Sequence, residues 1–154
     1  MRISTRGCYA LRAMLELAMH PGKPVARQEI AARQGISANY IAQLFRLLRQ
    51  AQLVRAIRGP GGGYMLARDA ATIRVGAVLR AVEGPLAVSQ CVIPEDEPKC
   101  QRAAICPVRP LLEQLTTVLA KAVDSITLQD LCNSSETRFL GENGFLDDTT
   151  SREE

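Results

Sequence analysis

The chain has 154 residues, enough to bury one hydrophobic core with a helical appendage, so one or two small domains are expected. Hydrophobic residues make up 47%, which argues against disorder, and no apolar run approaches the length of a membrane span. The net charge of +3 is split: residues 1–68 hold 11 Lys and Arg against Glu16 and Glu29, a net of +9, while residues 69–154 hold 8 against 14 acids, a net of −6.

Residues 3–19 are predicted to form a helix, with Leu11, Met14, Leu15 and Ala18 on one apolar face and Pro21-Gly22 ending it. His20, the single histidine, is expected at that end, where its partial charge meets the helix dipole, rather than as a metal ligand. Pro24-Val25-Ala26 leads into a short amphipathic segment (Ile30, Ala31, Ala32) broken by Gly35. A second helix is expected from Ser37, whose hydroxyl can cap free N–H groups. In it Ile41, Leu44, Phe45 and Leu48 fall at i, i+3, i+4 and i+7, one buried face. The opposite face shows Asn39, Gln43, Arg46 and Arg49, side chains that hydrogen-bond base edges and phosphates. Helix, tight Gly turn, helix is the helix-turn-helix plan, with the second helix free to enter a major groove.

Leu53-Val54-Arg55-Ala56-Ile57-Arg58 reads as a strand and Tyr64-Met65-Leu66 as its return, joined by Gly59-Pro60-Gly61-Gly62-Gly63, a hairpin tip. This is a two-stranded wing flanked by Arg55 and Arg58. Helix-turn-helix and wing in this order, inside the basic half of the chain, predict a winged-helix module over residues 1–84 that binds double-stranded DNA. The plainer use of such a module is protein contact alone.

After a turn at Asp69-Ala70-Ala71-Thr72, Val75, Val78, Leu79 and Val82 mark a short helix stopped by Gly84-Pro85. Residues 85–107 form an irregular loop in which Pro94 and Pro98 bracket Glu95, Asp96 and Glu97. Pro107 and Pro110 open a long helix with Val108, Leu111, Leu115, Val118 and Ala122 in a heptad seam. Leu112, Leu119 and Val123 make its apolar stripe wider than a lone surface helix needs, so a homodimer reading a near-palindromic operator is expected. Thr127 caps a last short helix within the segment 108–140, and residues 141–154 read as a polar, mobile tail. The fold class is therefore mostly α, with a winged helix-turn-helix domain and a long C-terminal dimerisation helix.

Five cysteines are present: Cys8, Cys91, Cys100, Cys106 and Cys132. The start of the chain lacks a signal-peptide pattern, so a cytoplasmic setting is expected, and there an odd set points to metal or redox chemistry rather than disulfides. Cys91 and Cys100 enclose eight residues, Cys100 and Cys106 five, and neither interval is the two-residue spacing of zinc knuckles. Iron–sulfur clusters tolerate looser spacing and need a fourth donor, while core packing or a regulatory thiol set remains the other reading. No enzyme is expected: Gly59–Gly63 lies between strands without a phosphate-binding Lys, and the single His has no evident partner. Neither a membrane nor a small-molecule substrate is expected as a partner.

Several motifs carry a resemblance over nearly the whole chain: Met1-Arg2-Ile3-Ser4 with Gly7 and Tyr9-Ala10; Gly35-Ile36-Ser37 with Tyr40-Ile41 and Gln43-Leu44-Phe45; the wing run Arg58–Tyr64; and the three loop cysteines. The sequence resembles the winged-helix regulators of the IscR, NsrR and RirA kind (the Rrf-two family, which also includes CymR). The resemblance implies an iron–sulfur cluster-dependent transcription regulator, most often a repressor, sensing redox state, nitric oxide, oxygen or iron supply. It implies dimerisation through the helix after the cysteine loop. It carries the cluster thiolates to Cys91, Cys100 and Cys106, and DNA contacts to Ser37, Asn39, Tyr40, Gln43 and the wing residue Arg58, which reaches a minor groove.

Two departures matter. Members like IscR have a His three residues after the third cysteine; Arg109 stands there and cannot ligate, which favours a 4Fe–4S over a 2Fe–2S cluster. The first cysteine interval is also longer than theirs. NsrR-like members take a fourth ligand from an acidic residue near the N-terminus of the partner subunit, and the matching position is Cys8, a softer iron ligand. Cys8 in trans is thus the implied fourth ligand, with Cys132 the competing donor, though its place after Leu128 and Leu131 suggests helix packing. The alternative, as in CymR-like members, is a cluster-free repressor controlled by thiol oxidation or a partner protein.

Overall fold

Ser4 opens the first helix by accepting a hydrogen bond from the Gly7 N–H at 3.2 Å, so α1 runs Thr5–Ala18, slightly shorter than the apolar pattern implied. The computed structural model describes residues 3–94 and 100–134; the acidic patch at 95–97, Pro98 and the tail expected at 141–154 lie outside the described residues. The helices that follow are α2 (Arg27–Gln34), α3 (Ala38–Gln50), α4 (Val75–Glu83), α5 (Arg109–Ser125) and α6 (Leu128–Asn133). Strands β1 (Val54–Ile57) and β2 (Gly63–Leu66) pair antiparallel between α3 and α4, in register from Val54↔Leu66 to Ile57↔Gly63.

The core lies where α1, α3 and α4 meet. Ile41, Leu44, Phe45 and Leu48 of α3 are buried against Ala10, Met14 and Leu17 of α1 and Val78 and Val82 of α4. The periodicity of α3 is therefore borne out, because its apolar face has two helices to pack on. Ala32 of α2 is exposed while Ile30 and Ala31 are buried, so the apolar face of α2 is narrower than expected. Gly35 ends α2 at φ 63°, a left-handed position that a side chain would strain, and its N–H closes on the Ala31 carbonyl.

The wing tip carries the marks of a type II turn: Pro60 at the first central position, Gly61 at φ 71° at the second, and Gly62 N–H donating to the Gly59 carbonyl at 3.0 Å. At Gly63 the constraint is space, since a Cβ would come within 2.3 Å of the Val25 carbonyl oxygen. Val25 and Tyr64 exchange both backbone hydrogen bonds at 2.9 Å, and the Tyr64 ring meets Phe45 at 4.4 Å. These contacts fasten the wing to the connector before α2 and to the core face of α3.

The wide apolar stripe of α5 divides in the folded chain. Val123 is buried and Leu119 half-buried against Val75 and Leu79 of α4, and Arg80 of α4 grips Asp124 with two hydrogen bonds at 2.7 and 2.8 Å. Val108 (51% exposed), Leu111 (54%), Leu115 (42%) and Val118 (50%) are left bare on the other side. One feature escapes a linear division at residue 84. α6 returns to the first unit, Leu128 is fully buried in its core, and its N–H donates to the Ile73 carbonyl at 2.9 Å.

Candidate nucleic-acid interface and cysteine loop

The first turn of α3 is built on Ser37, whose side chain accepts from the Tyr40 N–H at 3.2 Å. The hydroxyl proton stays available to a second acceptor, so capping and DNA contact are compatible. Asn39, Gln43, Arg46 and Arg49 are all exposed on the face opposite the core, and Tyr40 is half-buried. Arg55 is exposed on β1, and Arg58 follows β1 directly at the base of the turn. An open groove of about 500 Å³ between α3 and the wing is lined by Arg46, Arg49, Gln50, Val54, Arg55 and Ala56. Three guanidinium groups along one groove suit a phosphate backbone, where Arg donors pair with anionic oxygens. All eight predicted DNA-contacting residues belong to α3, its cap or the wing.

The two acids of residues 1–68 stay off this surface because both are taken by Arg33. Its guanidinium lies 2.6 Å from Glu16 and 2.5 Å from Glu29. Glu16, 3% exposed on the core side of α1, also accepts from Gln34 Nε2 at 2.8 Å. Burial pushes its carboxyl upward, yet hydrogen bonds from Arg33 and Gln34 and the charge of Arg33 outweigh this and hold it below the ordinary value of 4.5. His20 Nδ1–H donates to the Glu16 carbonyl at 2.8 Å, as a residue closing a helix C-terminus should, and Nε2 accepts from Arg33 at 3.0 Å. Sequence reasoning missed this network. Its only linear signal is a carboxylate between Leu15 and Leu17 on an apolar face.

None of the five cysteines, all of them among the described residues, forms a disulfide. Cys91 lies in a 3-10 turn (Gln90–Val92), half-buried, with Ser89 Oγ 3.4 Å from its sulfur. Cys100 is exposed, and Cys106 is half-buried where a second 3-10 turn (Ala103–Ile105) leads into α5. The loop is tied to α5 by Val88 N–H donating to Thr116 Oγ1 at 3.2 Å. Arg109 also braces it, donating to the Ala103 carbonyl at 3.4 Å, while its Nε stands 2.9 Å from Glu113, out of line for a hydrogen bond. Cys8 is exposed on α1.

Three soft thiols on one loop fit an iron–sulfur cluster as a donor set, and among the described residues of that loop there is no fourth cysteine or histidine. Among the described residues no three His, Cys, Asp or Glu side chains gather into one metal-holding group. Cys132 is half-buried in α6, where burial raises its pKa above the ordinary thiol value.

Residues 3–134 match the Rrf2 family, described as iron-dependent transcriptional regulators. The chain is 42% identical over 137 residues to the HTH-type transcriptional regulator IscR of Sodalis glossinidius (strain morsitans), covering 88% of this chain and 81% of that protein. IscR of Yersinia pestis is 39% identical over 137 residues, covering 88% and 82%. Among solved structures, T. potens IscR matches with a TM-score of 0.71 at 36% identity, over 88% of this chain and 89% of that one. CymR, the global cysteine regulator of B. subtilis, matches with a TM-score of 0.71 at 35% identity, over 86% and 97%.

Proposed function

This chain belongs to the Rrf2 family of transcriptional regulators, and from that premise we propose that it is a homodimeric repressor whose operator affinity is set by an iron–sulfur cluster. Like its relatives it is a DNA-binding regulator and not an enzyme. The observation that carries the cluster is the set of free thiols at Cys91, Cys100 and Cys106 in one loop at the entrance of α5, beside that helix's bare apolar side.

In the dimer, Val108, Leu111, Leu115 and Val118 pack on their symmetry mates, since an exposed a/d seam is stable only when covered. Asn39, Tyr40 and Gln43 meet base edges in a major groove, with Ser37 on a phosphate. Arg46, Arg49 and Arg55 pair with phosphates along their shared groove, and Arg58 enters the adjacent minor groove. Paired α3 helices make a near-palindromic operator the natural target.

Cys91, Cys100 and Cys106 hold the cluster, with Cys8 of the partner subunit as fourth ligand, 4Fe–4S rather than 2Fe–2S because Arg109 cannot replace a His. When bound, the cluster supplies a centre whose integrity responds to redox state, nitric oxide, oxygen or iron supply. α1 carries Cys8 on its exposed side and packs on α3 and α4 with its other side. A tether at Cys8 therefore acts on the element against which the recognition helix rests. Only a difference in operator affinity between tethered and free states transmits the signal.

Anaerobic purification with iron and sulfide counted per chain tests the cluster. The expected result is a coloured protein with matched iron and sulfide, and Cys8→Ala is expected to lose most of both. A colourless, iron-free protein overturns the proposal. The second reading is a regulator switched by thiol oxidation or a partner protein; it is favoured by the exposure of Cys8 and Cys100. It predicts operator affinity that changes on oxidation and recovers on reduction.

A further inference from the structure

Tyr9, Arg12 and Glu16 are spaced by three and four along α1 and so share one side of it. That side faces the helix-turn-helix corner. Arg12 Nε donates to Gln34 Oε1 at 3.1 Å, and its Nη2 donates to the Gln34 backbone carbonyl. Gln34 is the last residue of α2, immediately before the left-handed Gly35, and its carbonyl is one of those a helix end leaves without a partner in the helix. A guanidinium satisfies it and places positive charge at the negative end of the helix dipole. Gln34 is held from its other end too, through Nε2 on Glu16.

The same Arg12 guanidinium sits 5.5 Å from the centroid of the Tyr9 ring. The Tyr9 ring in turn meets Tyr40 edge to face, with centroids 5.9 Å apart and planes at 86°. Tyr40 belongs to the first turn of α3. Arg12 therefore touches both arms of the corner, α2 directly and α3 through one aromatic ring.

We propose that Arg12 is a positioning residue for DNA recognition. Its fork on Gln34 and its cation–π contact with Tyr9 set the angle at Gly35, and with it the pitch at which α3 presents Asn39 and Gln43. The inference rests on the reading that α3 enters DNA. Lys at this position keeps the charge but not the fork: one ammonium does not reproduce the planar, two-nitrogen grip on the Gln34 side chain and carbonyl.

The test measures the affinity of full-length protein for two duplexes, one enriched from a random-sequence pool by the wild type and one of mixed sequence, over a range of salt concentrations. Arg12→Lys is expected to weaken the enriched duplex about tenfold, the order of one displaced base contact, with the mixed duplex and the salt slope unchanged. Gln34→Ala should do the same, and the double variant should lose little more than either single one. Wild-type affinity for the enriched duplex in Arg12→Lys overturns the proposal. A loss on both duplexes with a shallower salt slope also overturns it, because Arg12 is then a phosphate contact. Loss of binding together with a collapsed melting transition in both variants overturns it as well, making the pair a stability feature. Failure of the wild type to enrich any duplex would instead remove the DNA-binding reading itself.

Discussion

Replacing Leu111 and Leu115 together by Ser is expected to dissociate the proposed homodimer without unfolding the protomer. The two side chains are 54% and 42% exposed, so about half of each is available for a partner to cover. Complete burial of a Leu contributes about 2 kcal/mol, so half of one contributes about 1 kcal/mol, and two positions on two protomers lose about 4 kcal/mol. At about 1.4 kcal/mol per decade this weakens the dimer roughly a thousandfold. Sedimentation equilibrium across a wide concentration range reads the constant directly. Because both positions lie outside the protomer core, the melting temperature of the dissociated chain should stay close to that of wild-type monomer under the same dilution. An unchanged dimer constant in a well-folded double variant refutes the assignment of this seam to the subunit interface, as does a wild-type chain that stays monomeric at tens of micromolar.

Two further outcomes follow from the same geometry. Arg58→Ala should weaken operator binding by about 1–3 kcal/mol and reduce the salt slope by about one unit, read by titration at several salt concentrations; an unchanged slope and affinity take the wing away from DNA. Glu16→Gln should cost about 1–2 kcal/mol at neutral pH, because a buried acceptor of two charge-assisted or amide hydrogen bonds loses its charge. The wild-type carboxyl is held below 4.5 in the folded state, so its contribution is present above that pH and is lost as pH falls through the lower folded value. The gap in melting temperature between wild type and Glu16→Gln should therefore close on acidification below pH 4.5, and a gap independent of pH would contradict the carboxylate's role.

What could be read from the linear chain was local. Ser37 and Thr127 each cap a helix through an N–H three residues ahead, so a four-residue window already contains the interaction. The buried face of α3 follows from its own period, and the Pro60-Gly61 tip follows from turn chemistry. The basic half of the chain coincides with the winged helix for the same reason: charge is a property of composition and does not wait for folding.

Contacts between distant segments were decided only by the tertiary structure. The width of the α5 stripe announced two apolar duties, but α4 had to arrive before Leu119 and Val123 were used within the chain and Leu111 and Leu115 were left bare. Nothing in the order of residues pairs Glu16 with Arg33 and Gln34, or Arg12 with Gln34; packing of α2 against α1 brings them together. α6 reads as a short terminal helix, and only closure of the chain puts Leu128 into a core built from earlier residues, Ala10 to Val82; sequence spacing does not encode which of many apolar surfaces a returning segment will find. The cysteines stand on both sides of this divide. Their number and thiol chemistry are written in the sequence, while α1 carries Cys8, α6 carries Cys132 and the loop before α5 carries the remaining three, a separation that only the folded chain sets.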